Sequence, residues 1–142
     1  MRLNGFFPIN NFVYHRLPRE GNSGSFNADA DILAIRPPHY LETIFGGDQE
    51  RILESDDWLN EFNGSWVGLI GEVKGSRATS MHDVEKAFSL ERLRVATMRL
   101  GLLSTTEEIN EAVSTLQKTY QIPTDKSGST AIIKVLFSAL PI

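Results

Sequence analysis

The chain has 142 residues, a net charge of −4, 41% hydrophobic residues and no cysteine. That length and balance fit one globular domain, 1–142, with a single core, and the missing cysteine excludes disulfides, thiolate metal sites and a cysteine nucleophile. No apolar run approaches a membrane span and the N-terminus lacks a signal-peptide layout, so a cytoplasmic protein with no membrane partner is expected.

In chain order, Phe6 to Arg16 reads as a first strand, aromatic and β-branched, with Pro8 marking an edge or bulge. Arg16 to Asn27 is a Pro/Gly/Ser/Asn loop. Asp29 to Arg36 is the second strand, stopped by Pro37-Pro38. Residues 39–65 form a long acidic insertion with one helix expected around Asp48 to Phe62, fixed to the body by Ile52, Leu53, Trp58, Leu59 and Phe62. Trp66 to Lys74 is the third strand, and its nearly unbroken apolar run predicts a central place in the sheet. Ser80, with Asp83 three residues on, opens a helix that should run to Leu100 and stop at Gly101. Thr105 and Glu108 repeat the capping signal, and Ile109, Ala112, Val113, Leu116 and Tyr120 give an i, i+3, i+4 stripe. Pro123 ends that helix, and Ala131 to Leu140 is a last apolar strand. The expected fold class is α/β, a central mixed β-sheet flanked by helices in the order β-β-β-α-α-β. The first three strands form an antiparallel meander, and the last returns beside them.

Charge is unevenly spread. Between Glu42 and Glu61 there are seven acids against Arg51 alone, whereas Lys74 to Arg99 holds six bases against three acids. The basic stretch suits a phosphate-bearing substrate, although solvated helix faces account for most of these side chains equally well.

The chemistry concentrates at strand ends. Glu72-Val73-Lys74 closes the apolar run of the third strand, and charges in so apolar a setting need partners. Residues two apart on a strand share a face, roughly 6–7 Å from each other, so Glu72 faces with Lys74, and Asp29 with Asp31. If the second and third strands pair, Asp31 and Glu72 converge on one cation, and the Val73 carbonyl can add a ligand. Hard oxygen donors without cysteine or clustered histidine suit Mg²⁺ or Mn²⁺. Lys74 is then placed to orient or deprotonate a water, or to stabilise charge on phosphorus. The bland alternative is a structural Glu–Lys pair with Asp29 and Asp31 as turn acids.

These residues resemble the restriction-endonuclease-like, PD-(D/E)XK, nuclease superfamily over most of the chain, from Gly5 to about Leu140. The motif positions are Asp31 in Asp29-Ala30-Asp31-Ile32-Leu33-Ala34, and Glu72-Val73-Lys74. The resemblance implies Mg²⁺-dependent cleavage of a phosphodiester backbone, usually DNA. It makes Asp31 and Glu72 ligands, Lys74 the catalytic lysine, and Asp29 a further ligand or supporting acid. Relatives usually begin with a helix before the first strand, and here only Met1 to Gly5 precede it. A homodimer or a partner protein covering the place of that helix is therefore expected. The competing expectation is a catalytically silent binding or assembly module on the nuclease fold.

Other constellations are weaker. His15, His39 and His82 have no metal-ligand spacing, and Gly64, Gly68 and Gly71 lie inside a strand rather than at a strand-to-helix turn. Asp125-Lys126-Ser127-Gly128 reads as a turn. Ser76, Arg77, Thr79 and Ser80 could meet phosphate, but capping and solvation explain them equally well.

Overall fold

A strand whose central residues, Val67 to Gly71, carry no polar side chain is stable only where both of its faces are covered. The computed structural model describes residues 4–9, 31–40, 42–44, 51–53, 57–74, 80–122 and 128–138, and Trp66–Lys74 lies at the middle of its main sheet. The elements are β1 (Phe7–Pro8), β2 (Ile32–Arg36), β3 (Glu42–Ile44), β4 (Arg51–Leu53), a 3-10 turn (Asp57–Phe62) and β5 (Trp66–Lys74). They continue with α1 (Met81–Ala87), α2 (Leu90–Leu100), α3 (Thr106–Lys118), β6 (Gln121–Ile122) and β7 (Thr130–Ser138). The architecture is α/β, with a mixed open sheet in the order β1-β2-β5-β7-β6.

Pairing follows the expected meander. β1 is antiparallel to β2, and β2 is antiparallel to β5 in a register that sets Ile32 opposite Gly71 and Arg36 opposite Val67. β5 and β7 are parallel over their full nine-residue lengths, from Trp66 opposite Thr130 to Lys74 opposite Ser138. A parallel neighbour needs a long crossover, and the three helices supply it. β6 then closes the far edge antiparallel to β7.

Alternation divides the core by face. Leu33, Ile70 and Ile132 look toward Phe88, Leu93, Ala96, Leu100, Val113 and Leu116 of the helical layer. Ala34, Val67, Leu69, Ala131 and Ile133 look the other way, onto Phe6, Leu59 and Phe62. Gly68 lets α2 approach closely: a Cβ there would lie 2.6 Å from Leu100 Cδ1 and 3.0 Å from Leu102 Cδ1.

Several expectations change. The single helix from Ser80 to Leu100 is two helices, broken at Phe88-Ser89. Val84, Ala87 and Phe88 face the core, and a continuous helix would next turn Glu91 and Arg92 inward; breaking the helix resets the phase so that Leu93, Ala96 and Leu100 pack instead. The helix expected around Asp48 to Phe62 is replaced in its described part by strand β4, paired with β3 as a separate two-stranded sheet, and the 3-10 turn. Leu59 and Phe62 do anchor that turn, but Trp58 is exposed. The first strand is described only at Phe7–Pro8 and the second begins at Ile32; Asp29, His15 and the 16–27 loop lie outside the described residues. Strand β6, at Gln121–Ile122, is an addition. Among the described residues no helix is long and apolar enough to cross a membrane.

Candidate functional site

The last rung between β2 and β5 joins Ile32 to Gly71. One residue further, Asp31 stands opposite Glu72, beyond the reach of backbone pairing. Its side chain takes over the role of the ladder: Asp31 Oδ2 accepts a hydrogen bond from the Val73 N–H at 2.7 Å. In a strand the N–H and C=O of one residue point to the same neighbour, so the Val73 carbonyl also faces the Asp31 side. The register that buries Leu33 against Ile70 therefore brings these oxygen groups to one strand end.

Glu72 and Lys74 share the face of β5 that carries Ile70, toward the helices. Lys74 Nζ donates to Glu72 Oε1 at 2.6 Å. The two are buried unequally, the glutamate side chain being 8% exposed and the lysine 27%. A carboxylate at that depth needs a counter-charge, and the lysine reaches in from the rim to provide it. Asp31, by contrast, is exposed.

The start of α1 completes the surroundings. Ser80 caps the helix, its hydroxyl accepting from the Asp83 N–H at 3.2 Å while Asp83 Oδ2 accepts from the Ser80 N–H at 3.1 Å and from its hydroxyl at 2.6 Å. These hydrogen bonds from Ser80 hold the Asp83 carboxyl below its ordinary range, and the charge of Lys74 pulls it the same way. Ser80 is a cap; Ser76, Arg77 and Thr79 lie outside the described residues.

A second cation on the helical face escaped the sequence reading. Lys134, opposite Ile70 in the β5–β7 ladder, holds its ammonium 5.4 Å from the Phe88 ring centroid and 5.3 Å from that of Tyr120. Burial lowers its pKa from the ordinary lysine value, and the two ring faces offset part of that cost. The available signal was one charge inside the otherwise apolar run Ala131 to Leu140.

As a cation site, the arrangement offers two carboxylates and one main-chain carbonyl. Asp31 Oδ2 is committed to the Val73 amide and Glu72 Oε1 to Lys74, which leaves Asp31 Oδ1 and Glu72 Oε2 without a hydrogen bond among the described residues. Two single carboxylate oxygens and a carbonyl fit a small hard cation that keeps several waters, Mg²⁺ or Mn²⁺, better than one demanding a dense protein cage. No cluster of three or more histidine or acidic ligands occurs among the described residues, and Asp29 lies outside them. The chain matches no protein-family model, no curated protein and no solved structure.

Proposed function

We propose that this chain is a Mg²⁺-dependent, nuclease-like hydrolase of the restriction-endonuclease-like, PD-(D/E)XK, type, acting on phosphodiester bonds in DNA in the cytoplasm. The observation that supports the reading is the meeting of Asp31, Val73 and the Glu72–Lys74 pair at one strand end. Asp31, Glu72 and the Val73 carbonyl would hold the metal, with Asp29 as a further acid. When bound, the metal supplies Lewis-acid polarisation of a phosphoryl oxygen and acidifies a water. Lys74 orients that water or stabilises negative charge gathering on the phosphoryl oxygens. In the metal-free site Glu72 holds the Lys74 ammonium at the strand end.

The test is cleavage of supercoiled, linear and single-stranded DNA, and of RNA, with Mg²⁺ or Mn²⁺. Metal-dependent cutting is expected, reduced about a hundredfold or more in Lys74→Ala and Asp31→Ala. Failure to cut any of these substrates with either metal would count against the reading.

A second reading draws on the same hydrogen bonds. Asp31 already has the Val73 amide and Glu72 already has Lys74, so the site is electrostatically closed as it stands. A nuclease-fold binding or assembly module without catalysis would look like this. Calorimetry with Mn²⁺ separates the two readings: the module gives no binding heat at this site, and the nuclease does.

A further inference from the structure

We propose that Lys74 is the resident cation of the Glu72 carboxylate and competes with a divalent metal for it, so that the lysine sets the metal affinity of this strand end. The inference rests on the metal-site reading above and adds to it a role for Lys74 that precedes any chemistry.

The geometry argues for competition rather than coexistence. Lys74 Nζ is in direct contact with Glu72 Oε1, at 2.6 Å. A divalent ion held by Glu72 would stand within a few ångströms of that ammonium, and the repulsion of two cations on one carboxylate is strong where water is partly excluded. One of them has to yield. The unequal burial decides which: the glutamate is 8% exposed and anchored on a central strand, whereas the lysine is 27% exposed on a flexible four-carbon stem. Glu72 stays and Lys74 swings.

Charge counting gives the same sign. Asp31, Glu72 and Lys74 together carry one net negative charge, and without Lys74 they carry two. A buried carboxylate that has lost its lysine is also an uncompensated charge, which a metal ion relieves. Removing Lys74 therefore strengthens metal binding, the reverse of the effect expected if Lys74 merely holds Glu72 in place for the metal. The ammonium released from Glu72 is then free to meet an anionic oxygen beside the strand end, which couples metal loading to availability of the lysine.

The experiment is calorimetric titration of Mn²⁺ into the wild-type chain, Lys74→Met and Lys74→Arg. Lys74→Met is expected to bind Mn²⁺ about tenfold more tightly or better, and Lys74→Arg, whose guanidinium can grip both carboxylate oxygens, more weakly than wild type. Mn²⁺ binding confined to Lys74→Met would also support the proposal, with the lysine blocking the site outright. Wild-type binding that is unchanged or weakened in Lys74→Met overturns the competition while leaving the metal site standing. Absence of binding in both wild type and Lys74→Met overturns the metal site and the competition together. If Lys74→Met does not fold, the arginine variant decides: weaker binding than wild type supports competition, and equal or tighter binding refutes it.

Discussion

Gly68 is the point at which the helical layer comes closest to the central strand, and Gly68→Ala tests whether that contact is as tight as it looks. The added methyl would sit 2.6 Å from Leu100 Cδ1, 3.0 Å from Leu102 Cδ1 and 3.3 Å from Leu100 Cδ2. Carbon atoms in good contact lie about 3.5–4.0 Å apart, so the overlap with Leu100 is about 1 Å. Overpacking of this kind costs about 1–3 kcal/mol. Replacing a strand glycine returns about 0.5–1 kcal/mol, because the unfolded chain has less freedom to lose. The atoms in the way are the ends of leucine side chains, which can rotate, so the lower half of the range applies. The net expectation is a loss of about 0–1.5 kcal/mol, or up to about 6 °C in Tm for a chain of this size. Urea denaturation should show a lower midpoint at unchanged slope. A double-mutant cycle sharpens the test. Leu100→Ala alone should cost about 2–5 kcal/mol by leaving a cavity, and in the Gly68→Ala background the new methyl enters that space. The double variant should then be more stable than the sum of the singles by about 1 kcal/mol or more. A Gly68→Ala variant more stable than wild type, or strict additivity with Leu100→Ala, would refute the reasoning.

Three further outcomes are expected. Ser80→Ala removes both hydroxyl contacts to Asp83 and should loosen α1 at a cost of about 1 kcal/mol, read by urea titration. The same bonds depress the Asp83 carboxyl, so its stabilisation is complete above the unfolded carboxyl pKa of about 3.9 and is lost as pH falls through the lower folded value. The acid limb of stability against pH should therefore flatten below about pH 4 in Ser80→Ala, and an unchanged limb would show that the capping bonds do not perturb Asp83. Thr105→Ala breaks the reciprocal cap of α3, in which the Glu108 N–H donates to the threonine hydroxyl and Glu108 Oε2 accepts from the Thr105 N–H. A loss of about 1 kcal/mol is expected from calorimetric melting, with Thr105→Ser close to wild type. Asp31→Ala deprives the Val73 N–H of its acceptor, and hydrogen exchange at that amide should quicken about tenfold, whereas Asp31→Asn keeps an acceptor and the protection. Because Asp31→Asn also removes one negative charge, any loss of metal binding in that variant reports on the carboxylate rather than on the hydrogen bond to Val73.

Local patterns carried much of the fold. The run from Trp66 to Lys74 announced a central strand because only a strand covered on both sides can be apolar at successive positions, and β5 has those bounds. Thr105 with Glu108, and Gly101 in a left-handed conformation at φ 66°, mark helix ends by chemistry contained within a few residues. The break between α1 and α2 was written as a phase slip between Phe88 and Leu93, but it becomes legible only when the direction of the sheet is known. The acidic composition of 48–62 suggested a helix, and the β3–β4 pairing won for Arg51–Leu53 because it depends on a partner strand rather than on local preference.

The site divides in the same way. The sequence by itself determined that Glu72 and Lys74 share a face, because strand alternation has a period of two, and that a glutamate at the end of so apolar a strand needs a counter-charge. It could not determine that Asp31 lies opposite Glu72, since strand register is a relation between segments 41 residues apart and depends on which side chains fill the core. Nor could it show that Asp31 holds the Val73 amide, or that Lys134 is held against Phe88 and Tyr120. Those are consequences of packing, in which one residue's place is fixed by neighbours that the chain order keeps apart.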